Sequence, residues 1–385
     1  MKTLPLIPNE VYFEIFDYIE PSDLMSVSEY KRILSNLALV CRFFCAVLLP
    51  RIFKSLTFSG HPHKESDTPG YASFCRALIR GKEPACSLAL HVRECTFSQW
   101  DDCEDHLQWV FDGFLGLYNQ SIARMLNLES LVLSHTPLSK KLIQAMSKLR
   151  RLKALVMDNC EVADDMMNED ICKLSSLKLV TLEFHGDWYI RELLELISPA
   201  LRVFRTSDWD FARDFMTETA QCHIEELEVS QVEDVIVLRK FLERNPSIMK
   251  LNIRSIRSEH ATPLCLSPSS LPRLHSIDCP SSLILDFVRS RPLRRIALSG
   301  IHYIGRSRKI TSLPPMTLED IAVMTKSAAA TRTLDIPADI YFVVPMDYFP
   351  HLETLRLDFA HPNHVCQFPD GPEFDVSYIC LDLSF

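Results

Sequence analysis

Residues 128–133 read Leu128-Glu129-Ser130-Leu131-Val132-Leu133, and residues 152–157 read Leu152-Lys153-Ala154-Leu155-Val156-Met157. A third copy stands at Leu179-Val180-Thr181-Leu182-Glu183-Phe184. The shared phrase is apolar-x-x-apolar-x-apolar. Its last three positions alternate in, out, in, as a half-buried strand requires, because successive side chains of a strand point to opposite faces. The phrase recurs in both directions. It appears at Phe53/Leu56/Phe58, Leu201/Phe204/Thr206, Ile224/Leu227/Val229, Ile248/Leu251/Ile253 and Leu274/Ile277/Cys279. Further copies are Leu293/Ile296/Leu298, Leu318/Ile321/Val323 and Leu352/Leu355/Leu357, with weaker ones around Leu90, Leu334 and Ile379. From Leu131 to Ile321 the central residues are spaced 24, 27, 22, 23, 24, 26, 19 and 25 apart.

A period of this size signals stacked repeats. Helical spacing fills several intervals, as in Leu142/Met146/Leu149, Leu193/Leu194/Ile197 and Val235/Leu238/Leu242. Pro199, Pro246, Pro272, Pro292 and Pro350 each sit shortly before a strand and stop the preceding segment. The expected architecture is α/β: an irregular solenoid of about 11–14 repeats over residues 53–385 with one shared core. About a dozen parallel strands at ~4.8 Å spacing make an arc on the order of 50–60 Å.

Composition narrows the function class. The 385 residues include 9 Gly, 23 Pro and 13 Cys, with 47% hydrophobic residues and a formal charge of −9. Glycine-rich phosphate loops and the Gly-x-Ser-x-Gly elbow are absent, and so few glycines predict little need for backbone at φ > 0. The acidic balance offers no footprint for nucleic acid. No run of 18 uncharged apolar residues suggests a membrane span. The odd, scattered cysteines, with no Cys-x-x-Cys pair, fit a reducing compartment, cytoplasmic or nuclear, where the Asn119-Gln120-Ser121 sequon has no role.

The N-terminal segment has a different pattern. Val11, Ile15 and Ile19 recur every four residues while Glu10, Glu14 and Asp17 fall away from them, and Pro8 and Asn9 suit a helix start. Pro21-Ser22-Asp23 breaks this helix and a second helical stretch follows. A third helix is expected from about Asn36 to Leu49, with Leu37, Val40, Cys41, Phe44 and Leu48 on one face and Pro50 ending it. Three helices in residues 1–52 hold too little core to stand alone.

The pattern Ile7-Pro8-x-Glu10-Val11-x3-Ile15-x3-Ile19-x-Pro21-x-Asp23-Leu24 resembles the F-box motif, and Val40-Cys41-Arg42-Phe43-Phe44 resembles its closing element. Two departures stand out. Phe44 replaces the usual Trp, and the Leu24–Val40 interval is longer than the motif's, as though residues 26–34 included an insertion. The whole chain resembles F-box proteins with divergent leucine-rich repeats. Their Asn/Cys ladder position is filled well here only by Cys160; Thr136, Asp187, Trp209, Val232 and Ile256 occupy it elsewhere. The resemblance implies a substrate-recognition subunit of a Skp–cullin–F-box ubiquitin ligase, without cofactor or catalysis of its own. Ile7, Pro8, Glu10, Val11, Ile15, Ile19, Leu24, Val40, Cys41 and Phe44 would dock on a Skp-type adaptor and, through it, a cullin. The alternative is a repeat scaffold whose N-terminal helices only cap the solenoid.

Sites for chemistry are sparse. Asp101-Asp102-Cys103-Glu104-Asp105-His106 lacks EF-hand spacing, and His361-x-x-His364-x-Cys366 lacks an evident fourth zinc ligand. No cysteine has the flanking His and basic groups of an activated thiolate. The outward strand positions carry the binding expectation instead. They run from Val132 and Val156 through Glu183, Arg205, Glu228, Asn252, Asp278, Ala297, Ala322 and Asp335 to Arg356, with Arg254 beside the centre. Trp188, Tyr189, Trp209 and Phe211 follow two consecutive strands and would line one rim, or else seal irregular loops. Between Phe287 and Leu318 stand Arg289, Arg291, Arg294, Arg295, Arg306, Arg308 and Lys309 with no acidic residue. That run suits either an acidic partner segment or a solvated rim.

Overall fold

A computed structural model of the protein describes residues 8–19, 27–60, 71–101, 108–163, 166–186, 189, 191–219, 222–258, 264–288, 291–298, 301–304, 331–337, 349–358 and 378–382. The apolar phrases become strands β1 Ser55–Ser59, β2 Glu94–Ser98, β3 Ser130–Ser134, β4 Ala154–Asp158, β5 Thr181–His185, β6 Val203–Thr206 and β7 Glu226–Val232. They continue as β8 Lys250–Ser258, β9 Ser276–Asp278, β10 Arg295–Ala297, β11 Ile301–Ile304, β12 Thr333–Pro337, β13 Thr354–Asp358 and β14 Tyr378–Asp382. Helices are α1 Asn9–Tyr18, α2 Val27–Ala38, α3 Arg42–Phe53, α4 Ala72–Ile79, α5 Ala85–Ala89, α6 Gln108–Ile122 and α7 Lys140–Met146. After these come α8 Asn168–Ile171, α9 Trp209–Glu218, α10 Val235–Arg244 and α11 Ser281–Val288.

Apart from β11, which pairs with β8, the strands form a single sheet in sequence order, the topology of a leucine-rich-repeat solenoid. Neighbouring strands from β1 to β10, and then β12 and β13, are parallel and aligned phrase to phrase: Leu131 opposite Leu155, Leu155 opposite Leu182, Leu182 opposite Phe204. One hydrogen-bond device repeats before each strand. The carbonyl of Lys54 accepts from the N–H groups of Arg93 and Glu94, Arg93 O from Glu129 and Ser130, Glu129 O from Lys153 and Ala154, and so on to Arg332 O. Repeat lengths therefore vary in the segments between strands while the strand register holds. Inward residues such as Leu131, Leu155, Leu182, Phe204, Leu227, Leu251 and Ile277 belong to one continuous buried cluster. Each unit buries the apolar face its neighbour cannot bury alone.

Four sequence expectations need correction. β12 pairs directly with β10, Leu334 opposite Ile296, so the Leu318/Ile321/Val323 phrase does not stand between them; its own residues lie outside the described ones. β14, around Ile379, pairs antiparallel with β13 and is not one more parallel copy. α3 runs through Pro50 to Phe53, and the break between α2 and α3 falls at residues 39–41. There Cys41 is extended and its Sγ accepts from the Phe44 N–H at 3.4 Å, an N-cap inside the expected third helix. Finally, scarce glycine does not mean scarce positive φ. Gln99, His135 and Asn159, directly after β2, β3 and β4, have φ of 58°, 49° and 46°. Each donates its N–H to the next repeat, to Ser134 O (3.2 Å), Asp158 O (2.8 Å) and His185 O (2.7 Å), which offsets the left-handed strain. Gly60 holds the corresponding place after β1, where a Cβ would lie 2.0 Å from Gln99 O.

The ladder position explains where the strands lengthen. Cys160 is buried and its thiol donates to Leu133 O at 3.3 Å, and Thr136 closes the turn by donating to Ser134 O at 2.9 Å. Val232 and Ile256 cannot make such bonds. They are buried instead, and β7 and β8 extend through them, pairing Val232 with Ile256. The added length of β8 takes up β11 as a further parallel neighbour, with Ile301 opposite Ser255.

The N-terminal helices have their own small core of Phe16, Leu34 and Leu48. α3 joins the two cores: Ile52 packs on the first and Phe53 on the second. Lys31 on α2 donates to Ser55 O at the start of β1 and stands 3.5 Å from the Tyr71 hydroxyl. Arg51 ties α3 back to α1 through Phe16 O (2.7 Å) and the Asp17 carboxylate.

Candidate functional site

Two surfaces result: the outer side of the helical module and the open face of the sheet. In α1 the inner face consists of Tyr12, Phe16 and Ile19, with Phe16 and Phe44 edge to face at 5.0 Å and Tyr12 and Phe44 at 5.2 Å. Val11 and Ile15 are 40% and 47% exposed, so they do not share Ile19's face. The reason is helical drift: a four-residue spacing overshoots a turn of 3.6, and eight residues rotate the side chain by about 80°. Pro8 and Glu10 are exposed, as are Leu39 (85%), Val40 (66%) and Cys41. Phe44 and Ile19 hold the module together, whereas Pro8, Val11, Ile15 and Val40 are free at its surface. Ile7 and Leu24 lie outside the described residues.

On the sheet, register brings Glu183, Arg205, Glu228, Asn252 and Asp278 into one row across five strands. Arg205 is the hub. Its guanidinium pairs with Glu183, with Glu226 at 3.2 Å and with Glu228 at 3.7 Å. Lys250 pairs with Glu226 and Arg254 with Glu228. Burial works against the charge on Glu226, but Lys250 and Arg205 outweigh it and hold that carboxyl below the usual range. His185, 3.9 Å from Glu183, and Arg205 do the same for Glu183. Beside this network lies a shallow recess of about 230 Å³ lined by Arg205, Glu226, Glu228, Lys250, Asn252, Ser276, Asp278 and Arg295. Asn252 Oδ1 is buried in it without a hydrogen-bond partner. Glu226, Lys250 and Ser276 are missing from the expected outward row, which holds only the middle residue of each phrase, and Arg295 is expected there only as part of the basic run; the strand period of two also turns out the residue before each apolar pair.

The expected aromatic rim is largely core. Phe211 is fully buried, stacked on Tyr189 at 5.2 Å and edge-on to Phe184 and Phe204. Tyr189 donates to Asp214 at 3.1 Å, and burial with that carboxylate pushes its phenol well above the usual range. Trp209 opens α9 half-buried against the solenoid core, and Trp188 lies outside the described residues. The basic run also divides. Arg291 is buried, donating to the carbonyls of Ser270, Asp286, Phe287 and Ser267, so it braces the fold. Arg295 pairs with Asp335 at 2.7 Å and Arg294 is exposed, while Arg289, Arg306, Arg308 and Lys309 lie outside the described residues.

Burial pushes the thiols of Cys75 and Cys160 up to about 11 and about 12, so both are protonated at neutral pH. Among the described residues no group of three or more His, Cys, Asp or Glu could hold a metal ion, and no helix is long and apolar enough to cross a membrane. Asp101 pairs with His135 at 3.1 Å; residues 102–106, His361, His364 and Cys366 lie outside the described residues. Both Asn119 and Ser121 of the sequon are buried.

No family model and no curated protein matches the chain. Among solved structures, it is similar to an internalin from Listeria monocytogenes at 9% identity, over 84% of this chain and 87% of that one, with a TM-score of 0.39. Internalin C2 from the same organism is 14% identical over 54% of this chain and 81% of its own, at a TM-score of 0.30. A leucine-rich-repeat protein from Leptospira interrogans is 12% identical over 81% and 92%, at 0.28. At such identities and TM-scores the likeness carries nothing about family, partner or activity.

Proposed function

We propose that the chain is a non-catalytic substrate receptor of a Skp–cullin–F-box ubiquitin ligase, its helical module docking on a Skp-type adaptor and its sheet face holding a target protein. The observation that carries this reading is the division of labour in the module. Phe16, Leu34 and Leu48 seal its own core, while Val11, Ile15, Leu39 and Val40 remain exposed with no use inside the described chain. Apolar side chains grouped on one small helical module suit a protein partner. Val11, Ile15 and Val40 also fall within the stretches that resemble the F-box motif, and Leu39 directly precedes the second of them. α3 and the Lys31–Ser55 contact join the module directly to β1, so a target on the sheet would be held at a fixed distance from the adaptor. The receptor would then raise the local concentration of target lysines near a ubiquitin-conjugating enzyme carried elsewhere in the assembly.

The test is adaptor pull-down with the double variant Pro8→Ala/Ile15→Ala. Both side chains are exposed, so the thermal melt should stay within about 0.5 kcal/mol of the parent chain. Adaptor capture should be lost. Undiminished capture overturns the ligase reading and leaves a repeat scaffold in its place.

A further inference from the structure

On the helical side of the solenoid, α4 and α6 enclose a groove of about 390 Å³ lined by Arg76, Trp109, Val110, Gly113, Phe114 and Leu117. We propose that this groove docks an acidic amphipathic helix of a partner protein. It is separate from the open sheet face and from the module surface, and it stands whether or not the ligase reading does.

The inner face of α6 is already committed, with Leu115, Tyr118 and Ile122 buried in the solenoid core. Its other side does not look like a solvated helix face. Trp109 is 76% exposed, and Val110, Phe114 and Leu117 are only half-buried. From Trp109 to Leu117 the apolar lining runs about 12 Å along the helix axis, two turns, which matches a partner helix presenting residues at i, i+4 and i+7. Gly113 keeps the floor open between them. A Cβ there would meet nothing within 4 Å, so the chain's own packing does not require the glycine, although glycine weakens a helix interior.

Charge selects the occupant. Arg76 stands over the Phe114 ring at 6.0 Å, and Arg80 follows one turn later on the same exposed edge of α4. Neither pairs with a carboxylate among the described residues, in a chain whose other arginines are so often paired and whose net charge is −9. An apolar floor beside unneutralised arginines fits a helix whose apolar stripe is flanked by Glu or Asp.

The experiment uses the full chain and two labelled helical peptides, followed by fluorescence anisotropy. One peptide carries Leu at i, i+4 and i+7 with Glu flanking them, and its twin has Lys in place of every Glu. The Glu peptide should bind at least about tenfold more tightly than the Lys twin. Gly113→Leu, which fills the floor and favours the helix, should abolish binding with the circular dichroism unchanged, and Arg76→Glu should reverse the preference. Equal binding of the two peptides, binding that survives Gly113→Leu, or no binding up to about 1 mM overturns the proposal. So does self-association of the chain, removed by Gly113→Leu, in place of peptide binding, since the occupant would then be a second copy.

Discussion

The helical module and the solenoid solve the same problem with opposite success. Both are built from short amphipathic pieces. In the solenoid each piece meets a near-copy of itself, so Leu131, Leu155, Leu182 and their successors disappear into one core that no repeat could form alone. In the module three helices have only each other. Phe16, Leu34 and Leu48 are fully covered, and Val11, Ile15, Leu39 and Val40 are left in solvent. Repetition supplies a neighbour for the inward face of every strand. A three-helix unit has only its own helices to draw on, so part of its apolar surface stays in solvent.

The sharpest test of that contrast is a pair of core truncations. Phe204→Ala should cost about 3–5 kcal/mol and lower the main unfolding transition, because Phe204 is buried among Phe211, Phe215 and the neighbouring strands. Phe16→Ala should remove a comparable contact but melt only the module, leaving the solenoid transition in place by calorimetry. A single transition lowered equally by both variants would show that the two cores are one unit. Next in size is Arg291→Met. Four carbonyls that now accept from one guanidinium would be left buried, at a cost of about 3 kcal/mol. An unchanged denaturant midpoint would return Arg291 to the surface run in which its sequence neighbours placed it.

The smallest effect belongs to the open face. Arg205→Met should cost about 1 kcal/mol or less at pH 7, since its side chain and its partners are partly solvated. The sign with pH follows from Glu183 and Glu226, whose carboxyls the network holds below the ordinary range. Their contribution is complete above the unfolded value of about 4.3 and is lost as pH falls through the lower folded values. Parent and variant melts should therefore differ at pH 7 and converge in acid. A difference that persists there would mean that Arg205 acts through packing instead of charge.

The strands were legible because a period of two and a repeat of about 24 residues are local properties of the chain. So was the row Glu183, Arg205, Glu228, Asn252, which follows from register alone. The aromatics were less so. Trp209 and Phe211 are two residues apart at the start of α9, and only the turn into the helix decides that one packs half-buried and the other fully. Trp109 gave no signal, because nothing repeats around it and its exposure depends on how α4 lies beside α6.

The sequence by itself determined that strands recur, that they stack in order with a common register, and which residue of each phrase faces inward. Alternation and spacing suffice for that, since each strand needs only its neighbour. The tertiary structure alone decided that Leu334 stands directly opposite Ile296 in the sheet, that Ile19 is covered while Val11 and Ile15 are not, and that Arg291 is a brace. Those outcomes rest on contacts between segments far apart in the chain, or on a helical rotation accumulated over several residues. No local pattern encodes them.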